Sequence, residues 1–161
     1  MKRSIKLMID ANWEDIETIR TDSSQFLTSH SFSKETVDAV TMIISELAEN
    51  SIKYGSFADP EHKVEVNLSL SADKIIVEVI NPFDEAAHRH LKRLDKTIQW
   101  IRGYQDPFEA YIERMKEVSR KPLTDEESGL GLVRIAYEGG AILDFFVNEN
   151  GRVNISTISM L

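Results

Sequence analysis

A chain of 161 residues with 42% hydrophobic and 29% charged content can bury one substantial core and leaves no room for a second full domain. Its net charge of −8 opposes extended contact with nucleic acid or an anionic membrane surface, so a phosphate ligand would need local cations, backbone amides or a metal. Cysteine is absent, which excludes disulfides, thiolate zinc sites and cysteine nucleophiles and is compatible with a cytoplasmic location.

The stretch Met1 to Asp10 begins with positive charge but lacks the apolar core and cleavage site of a secretory leader, and no run approaches membrane-spanning length. A soluble intracellular protein is expected. Ile5, Leu7 and Ile9 alternate as in a strand, and Asn12 offers a cap for a helix beginning at Trp13 that turns Ile16, Ile19 and Phe26 inward. Ser33 is the predicted N-cap of a second helix, with Phe32 and Val37 placed as a hydrophobic staple. Val37, Val40, Ile44 and Leu47 form its apolar stripe, and Gly55 falls where helices commonly end in a left-handed residue.

Val64, Val66, Leu68 and Leu70 alternate, Ser71-Ala72-Asp73 interrupts, and Ile75 to Ile80 resumes the pattern as the second arm of an antiparallel hairpin stopped by Asn81-Pro82. Two helices are predicted next, over about 84–102 and 107–120, the second opened by Asp106-Pro107-Phe108-Glu109. Lys121 to Glu127 reads as a polar connector running into Ser128-Gly129-Leu130-Gly131-Leu132, followed by a short helix closed at Gly139-Gly140. Ile142 to Phe146 and Val153 to Ile158 form a last hairpin around Glu149-Asn150-Gly151. Strands in antiparallel pairs with helices between them predict an α+β fold of two layers, with a helical insert at about 84–120.

Two motifs carry chemistry. Glu46, Asn50 and Lys53 lie on one face of the second helix, because a helix turns about 100° per residue and positions three or four apart are neighbours. An acid, an amide and a cation so aligned can hold a hydrated metal and a phosphate chain, although on an arbitrary helix such a triad is more often a solvated face. Gly129 and Gly131, just before a helix, would let backbone amides approach a phosphate, or would simply make a turn. The basic run His88 to Lys96 reads as a wet helix face or as a surface that docks an acidic partner or closes over a nucleotide. Its two histidines are two apart, a poor metal spacing; Glu49 reads as a surface acid, and Trp13 and Trp100 as packing residues.

Together, Glu46-Leu47-x-x-Asn50-x-x-Lys53-Tyr54-Gly55 and Gly129-Leu130-Gly131-Leu132 resemble the N-box and second glycine box of the histidine-kinase-like ATPase superfamily, which includes gyrase, heat-shock chaperones and sensor histidine kinases. The small size most resembles the stand-alone anti-sigma-factor serine/threonine kinases. The resemblance implies a Bergerat-type α/β sandwich over residues 1–161, with a mixed, largely antiparallel sheet, that binds ATP and Mg²⁺. By it Asn50 is the Mg²⁺ ligand, Glu46 the general base and Lys53 a cation near the phosphates, while Ser128, Gly129, Leu130 and Gly131 bind phosphate oxygens. It further implies a protein partner of the STAS type, an anti-anti-sigma or sigma-like regulator, phosphorylated on serine or threonine, and it does not decide between a monomer and a homodimer. One segment departs from the pattern. Where the superfamily carries Asp-x-Gly-x-Gly to read adenine, this chain has Asn81-Pro82-Phe83-Asp84, so Asn81 takes the adenine-reading place with a neutral amide. That change makes a non-catalytic module that sequesters a signalling partner the alternative reading.

Overall fold

The computed structural model describes residues 3–55, 57, 61–84, 88–120, 130–148 and 150–161. Strand β1 (Arg3–Ile9) leads into α1 (Glu14–Ser29) and α2 (Lys34–Tyr54); β2 (Val64–Leu70) and β3 (Lys74–Pro82) form the central hairpin. Helices α3 (His88–Arg102) and α4 (Pro107–Arg120) make the insert, followed by α5 (Leu130–Tyr137) and the hairpin β4 (Ala141–Val147) and β5 (Arg152–Met160). The sheet order is β1-β2-β3-β5-β4, and all four pairings are antiparallel. The architecture is α+β, as the element order predicts.

Strand alternation decides which face is covered. Val64, Val66, Leu68 and Leu70 of β2 are buried together with Ile75, Val77, Val79 and Asn81 of β3, while the residues between them are only partly covered. Against the buried face lies α2, whose Val37, Val40, Ile44 and Leu47 are buried at the spacing of one helical stripe. Ser33 caps it, its Oγ accepting the Thr36 N–H at 3.2 Å.

Several boundaries differ from the sequence reading. The first helix starts at Glu14 with Trp13 as N-cap, and Asn12 still supplies the capping oxygen, accepting the Asp15 N–H at 2.9 Å. Trp13 itself is 54% exposed and packs in no core, whereas Trp100 does pack, with the Arg114 guanidinium 4.5 Å above its ring. Gly55 ends α2 in an extended conformation (φ −74°), not a left-handed one. Glycine is needed there for room: a Cβ would lie 2.6 Å from both the Phe57 ring and the Ser51 carbonyl. Pro82 does not stop β3 but closes it, paired with Arg152; Phe83 N–H then donates to the Gly151 carbonyl at 2.9 Å, so the missing proline donor breaks no bond. In the insert α3 begins at His88, Asp106 caps α4 by accepting the Phe108 N–H at 3.0 Å, and Ile98 and Ile101 join the core.

The largest local correction concerns the glycine motif. Leu130, Gly131 and Leu132 are not loop residues but the first turn of α5, with Leu132 and Val133 buried against the sheet side of the helix layer. Ser128, Gly129 and the connector from Lys121 to Glu127 lie outside the described residues.

Candidate nucleotide site

The C-terminal half of α2 is amphipathic by necessity: Leu47, Ala48 and Ser51 face the sheet, so Glu46, Asn50 and Lys53 are left on the other flank. That flank opens into a cavity of about 330 Å³, lined by all three residues. From the sheet side Asn81, Phe83, Val153 and Ile155 close it; from α5, Leu130, Gly131, Leu132 and Arg134; from the insert, His90, Leu91, Arg93, Leu94 and Thr97 of α3. The structure therefore brings Glu46, Asn50, Lys53, Asn81, Leu130 and Gly131 to one place, although Asn81 is remote from α2 in sequence.

The lining combines charged and neutral groups. Among the charged ones, Glu46 is pinned by α5. Its Oε1 accepts a hydrogen bond from Arg134 Nη1 at 3.0 Å, and its Oε2 fills the space where a Cβ on residue 131 would sit. Gly131 is thus glycine because a carboxylate oxygen occupies its side-chain position. Arg134 is held in turn by Glu138, its Nε donating to Oε2 at 2.9 Å. Burial and the neighbouring Glu49 push the Glu46 carboxyl above its ordinary range, against the opposing pull of Arg134 and Lys53. The hydrogen bond that Arg134 donates to Glu138 raises Arg134 further, so its charge is permanent.

Neutral groups also line it. Asn81 is buried at 5% exposure, and its Nδ2 donates to the Pro82 carbonyl at 3.0 Å, which leaves Oδ1 as the acceptor. Ser51 Oγ, also on the lining, is buried without a hydrogen-bond partner among the described residues. Leu91, Leu94, Val153 and Ile155 supply apolar walls between these groups. Unpaired buried hydroxyls are costly, so a ligand group here would recover the bond each lacks.

Magnesium fits this donor set in one manner. Among the described residues no cluster of three or more acidic, histidine or cysteine side chains could cage a metal. Asn50, with Glu49 beside it in the cavity, offers oxygens to a hard cation whose remaining ligands would be phosphate and water.

The sequence reading missed Glu49, Ser51 and Arg134 as cavity residues. Glu49 and Ser51 flank Asn50 and could have been found by extending the helical face; Arg134 was marked only by lying one turn past Gly131. In the insert, the basic run read as a wet face or a docking or closing surface brings His90 and Arg93 of α3 to the cavity lining, and the His90 ring packs on Tyr54 at 4.5 Å between centroids. His88 instead meets Phe83 edge-on at 6.3 Å, so the two histidines do part company.

Such an arrangement, a sheet that is wholly antiparallel rather than the mixed one expected, with an acid-amide-cation helix facing a glycine-bearing helix, fits a nucleotide-binding ATPase domain. The description histidine kinase-like ATPase domain matches residues 9–136, and the chain belongs to that family. No curated protein matches by sequence. Twelve chains of solved structures match in fold. Among them is a chain of the SiaB–SiaC complex from Pseudomonas aeruginosa, 17% identical, with a TM-score of 0.68, covering 98% of this chain and 89% of that one. Among the described residues no helix is long and apolar enough to cross a membrane.

Proposed function

We propose that the protein is an ATP-dependent regulatory kinase of the anti-sigma-factor type, folded as one domain over residues 1–161, which transfers the γ-phosphoryl group to a serine or threonine of a STAS-type protein partner. The observation that carries this reading is the convergence of Glu46, Asn50 and Lys53 with Gly131 and Arg134 on one cavity that is also lined by Asn81 and apolar side chains. Phosphoryl transfer asks mainly for positioning and charge neutralisation, and the charged lining supplies both. Asn50 would hold Mg²⁺, Lys53 would face the phosphates, and Glu46 would accept the proton of the acceptor hydroxyl. A carboxyl raised by burial is a better base than an exposed one once ionised. Asn81 and Ser51 would meet the base, and Leu130 with Gly131, Gly129 and Ser128 the phosphates. Mg²⁺ when bound supplies charge neutralisation between the phosphates.

The solved chain of similar fold belongs to a two-protein complex, which accords with a protein acceptor. Incubation of the pure protein with ATP, Mg²⁺ and a cognate STAS-type domain should yield a phosphoprotein, and Glu46→Ala should abolish it with the fold intact. Equal labelling by that variant removes Glu46 from the mechanism. One observation favours a second reading, a non-catalytic module that sequesters its partner: the adenine-reading carboxylate is replaced by Asn81, already engaged with Pro82. The absence of any calorimetric heat or thermal shift at millimolar Mg-ATP would select it.

A further inference from the structure

The structure assigns to Arg134 a positioning role toward Glu46, and to Glu138 the task of holding Arg134 in place; this inference rests on the reading of Glu46 as the base. Both carboxylate oxygens of Glu46 are fixed by the first turns of α5. Oε2 lies against the Cα of Gly131, where no side chain intervenes, and Oε1 receives Arg134 Nη1 at 3.0 Å. Residues 131 and 134 are three apart and so share one face of the helix, which makes the pair a single clamp. Arg134 cannot swing freely, because its Nε is tied to Glu138 Oε2 at 2.9 Å, four residues on along the same helix. A guanidinium offers donors in a fixed fork, so one arginine can join two carboxylates while keeping both aimed.

The charges facing Glu46 come from three elements. Glu49 and Lys53 stand on its own helix, Arg134 and Glu138 on α5, and His90 and Arg93 on α3 line the same cavity. Only Arg134 touches the Glu46 carboxylate by a described hydrogen bond, and Tyr111 of α4 adds to the field around Arg134. The clamp thus keeps the carboxylate turned toward the glycine-bearing turn of α5. A base free to rotate would spend most of its time misaligned, and small misplacements of reacting groups are costly in rate.

Arg134→Met and Arg134→Lys test this, the lysine retaining charge and reach without the fork. Arg134→Met should lower kcat for phosphoryl transfer about tenfold, with KM for ATP and the calorimetric Mg-ATP affinity within about twofold of wild type, and Arg134→Lys should recover part of the rate. A tenfold loss of Mg-ATP affinity with kcat intact would make Arg134 a phosphate ligand and overturn the proposal. An independent readout needs no activity: in ¹⁵N spectra of the nucleotide-free protein, the two Arg134 Nη groups should give separate signals from hindered rotation. Glu46→Gln and Glu138→Gln should each merge them. Merged signals in the wild type would overturn the clamp. If wild type transfers no phosphoryl group, the proposed function fails by itself, and the guanidinium spectrum alone decides whether Arg134 holds Glu46.

Discussion

Replacement of Gly131 by alanine should be nearly silent on stability in the wild-type background and stabilising once Glu46 is truncated. A Cβ at residue 131 would collide with Glu46 Oε2 and stand 3.3 Å from its Cδ. The obstacle is the end of a flexible side chain, so the carboxylate can rotate away; the cost is what the rotation breaks. It gives up the bond from Arg134, which is 42% exposed, so solvent screening holds that loss to about 0.5–1.5 kcal/mol. Opposing it, alanine in a helix gains about 1 kcal/mol over glycine. The two nearly cancel in Gly131→Ala alone. With Glu46→Ala already in place the collision is gone, and only the helix gain of about 1 kcal/mol remains, worth roughly 2–4 °C in Tm for a chain of this size. Urea unfolding of wild type, both single variants and the double variant measures the coupling, expected at about 0.5–1.5 kcal/mol. An alanine effect equal in both backgrounds would show that Glu46 is not what the glycine accommodates.

Further outcomes follow from groups held at the site and on β2. Because burial and Glu49 raise the Glu46 carboxyl, its contribution to stability is fully present below the unfolded carboxyl value of about 4.3 and is lost as pH rises through the folded value. Glu46→Gln should therefore gain on wild type as pH climbs from about 4 to 7 in denaturation curves, and a difference constant with pH would contradict the assigned burial. Glu65 gives the opposite slope: burial alone would raise it, but the hydrogen bonds from Lys6 and Asn67 prevail and lower it, so Glu65→Gln should cost stability at neutral pH and little in acid. Asn81→Asp should weaken the nucleotide-free protein by about 1–3 kcal/mol, since it loses the bond to Pro82 and buries a charge. The same variant should raise Mg-ATP affinity about tenfold by calorimetry, because a carboxylate accepts the adenine amino group more strongly than an amide. Unchanged or weaker binding would remove Asn81 from base recognition.

What the sequence makes legible here is periodicity. The buried stripe Val37, Val40, Ile44 and Leu47 and the alternation of β2 and β3 declare themselves because side-chain direction repeats with backbone geometry. Glu46, Asn50 and Lys53 were legible for the same reason. Where the reading faltered, a distant group decided a local conformation. Gly131 reads as a loop by helix propensity, yet it lies in α5, and its glycine is explained by a carboxylate from α2 that needs its side-chain space. Gly55 reads as a left-handed cap, yet the Phe57 ring and the Ser51 carbonyl explain it. Arg134 was not legible as a partner of Glu46, since the two are 88 positions apart and no local rule pairs them. The neutral Asn81 was visible as a departure from the family pattern, but the buried Ser51 hydroxyl on the same cavity was not.

An overall charge of −8 and a cavity suited to an anion are reconciled by how the charges are distributed. Lys53, Arg93 and Arg134 reach the cavity from three different helices, whereas the acids that lower the net charge are spread over exposed faces such as the first turn of α1. Focusing cations into a concave, partly apolar site raises the local potential where it strengthens binding, because the low-dielectric walls screen it less than water would. Two acids line it as well, Glu46 and Glu49, and two cations, Arg134 and Lys53, act on Glu46. A triphosphate entering the cavity would draw on the same cations that stabilise this carboxylate. Nucleotide occupancy and the protonation of Glu46 should therefore be coupled: the incoming anion would push Glu46 toward its neutral form, and a Mg²⁺ held by Asn50, as proposed, would offset that charge. Phosphoryl transfer in this site should accordingly fail with ATP in the presence of a chelator even where binding survives, and calorimetry of ATP binding without Mg²⁺ should show greater proton uptake in wild type than in Glu46→Gln. Equal proton uptake in the two would separate the carboxylate from the phosphates and deny the coupling.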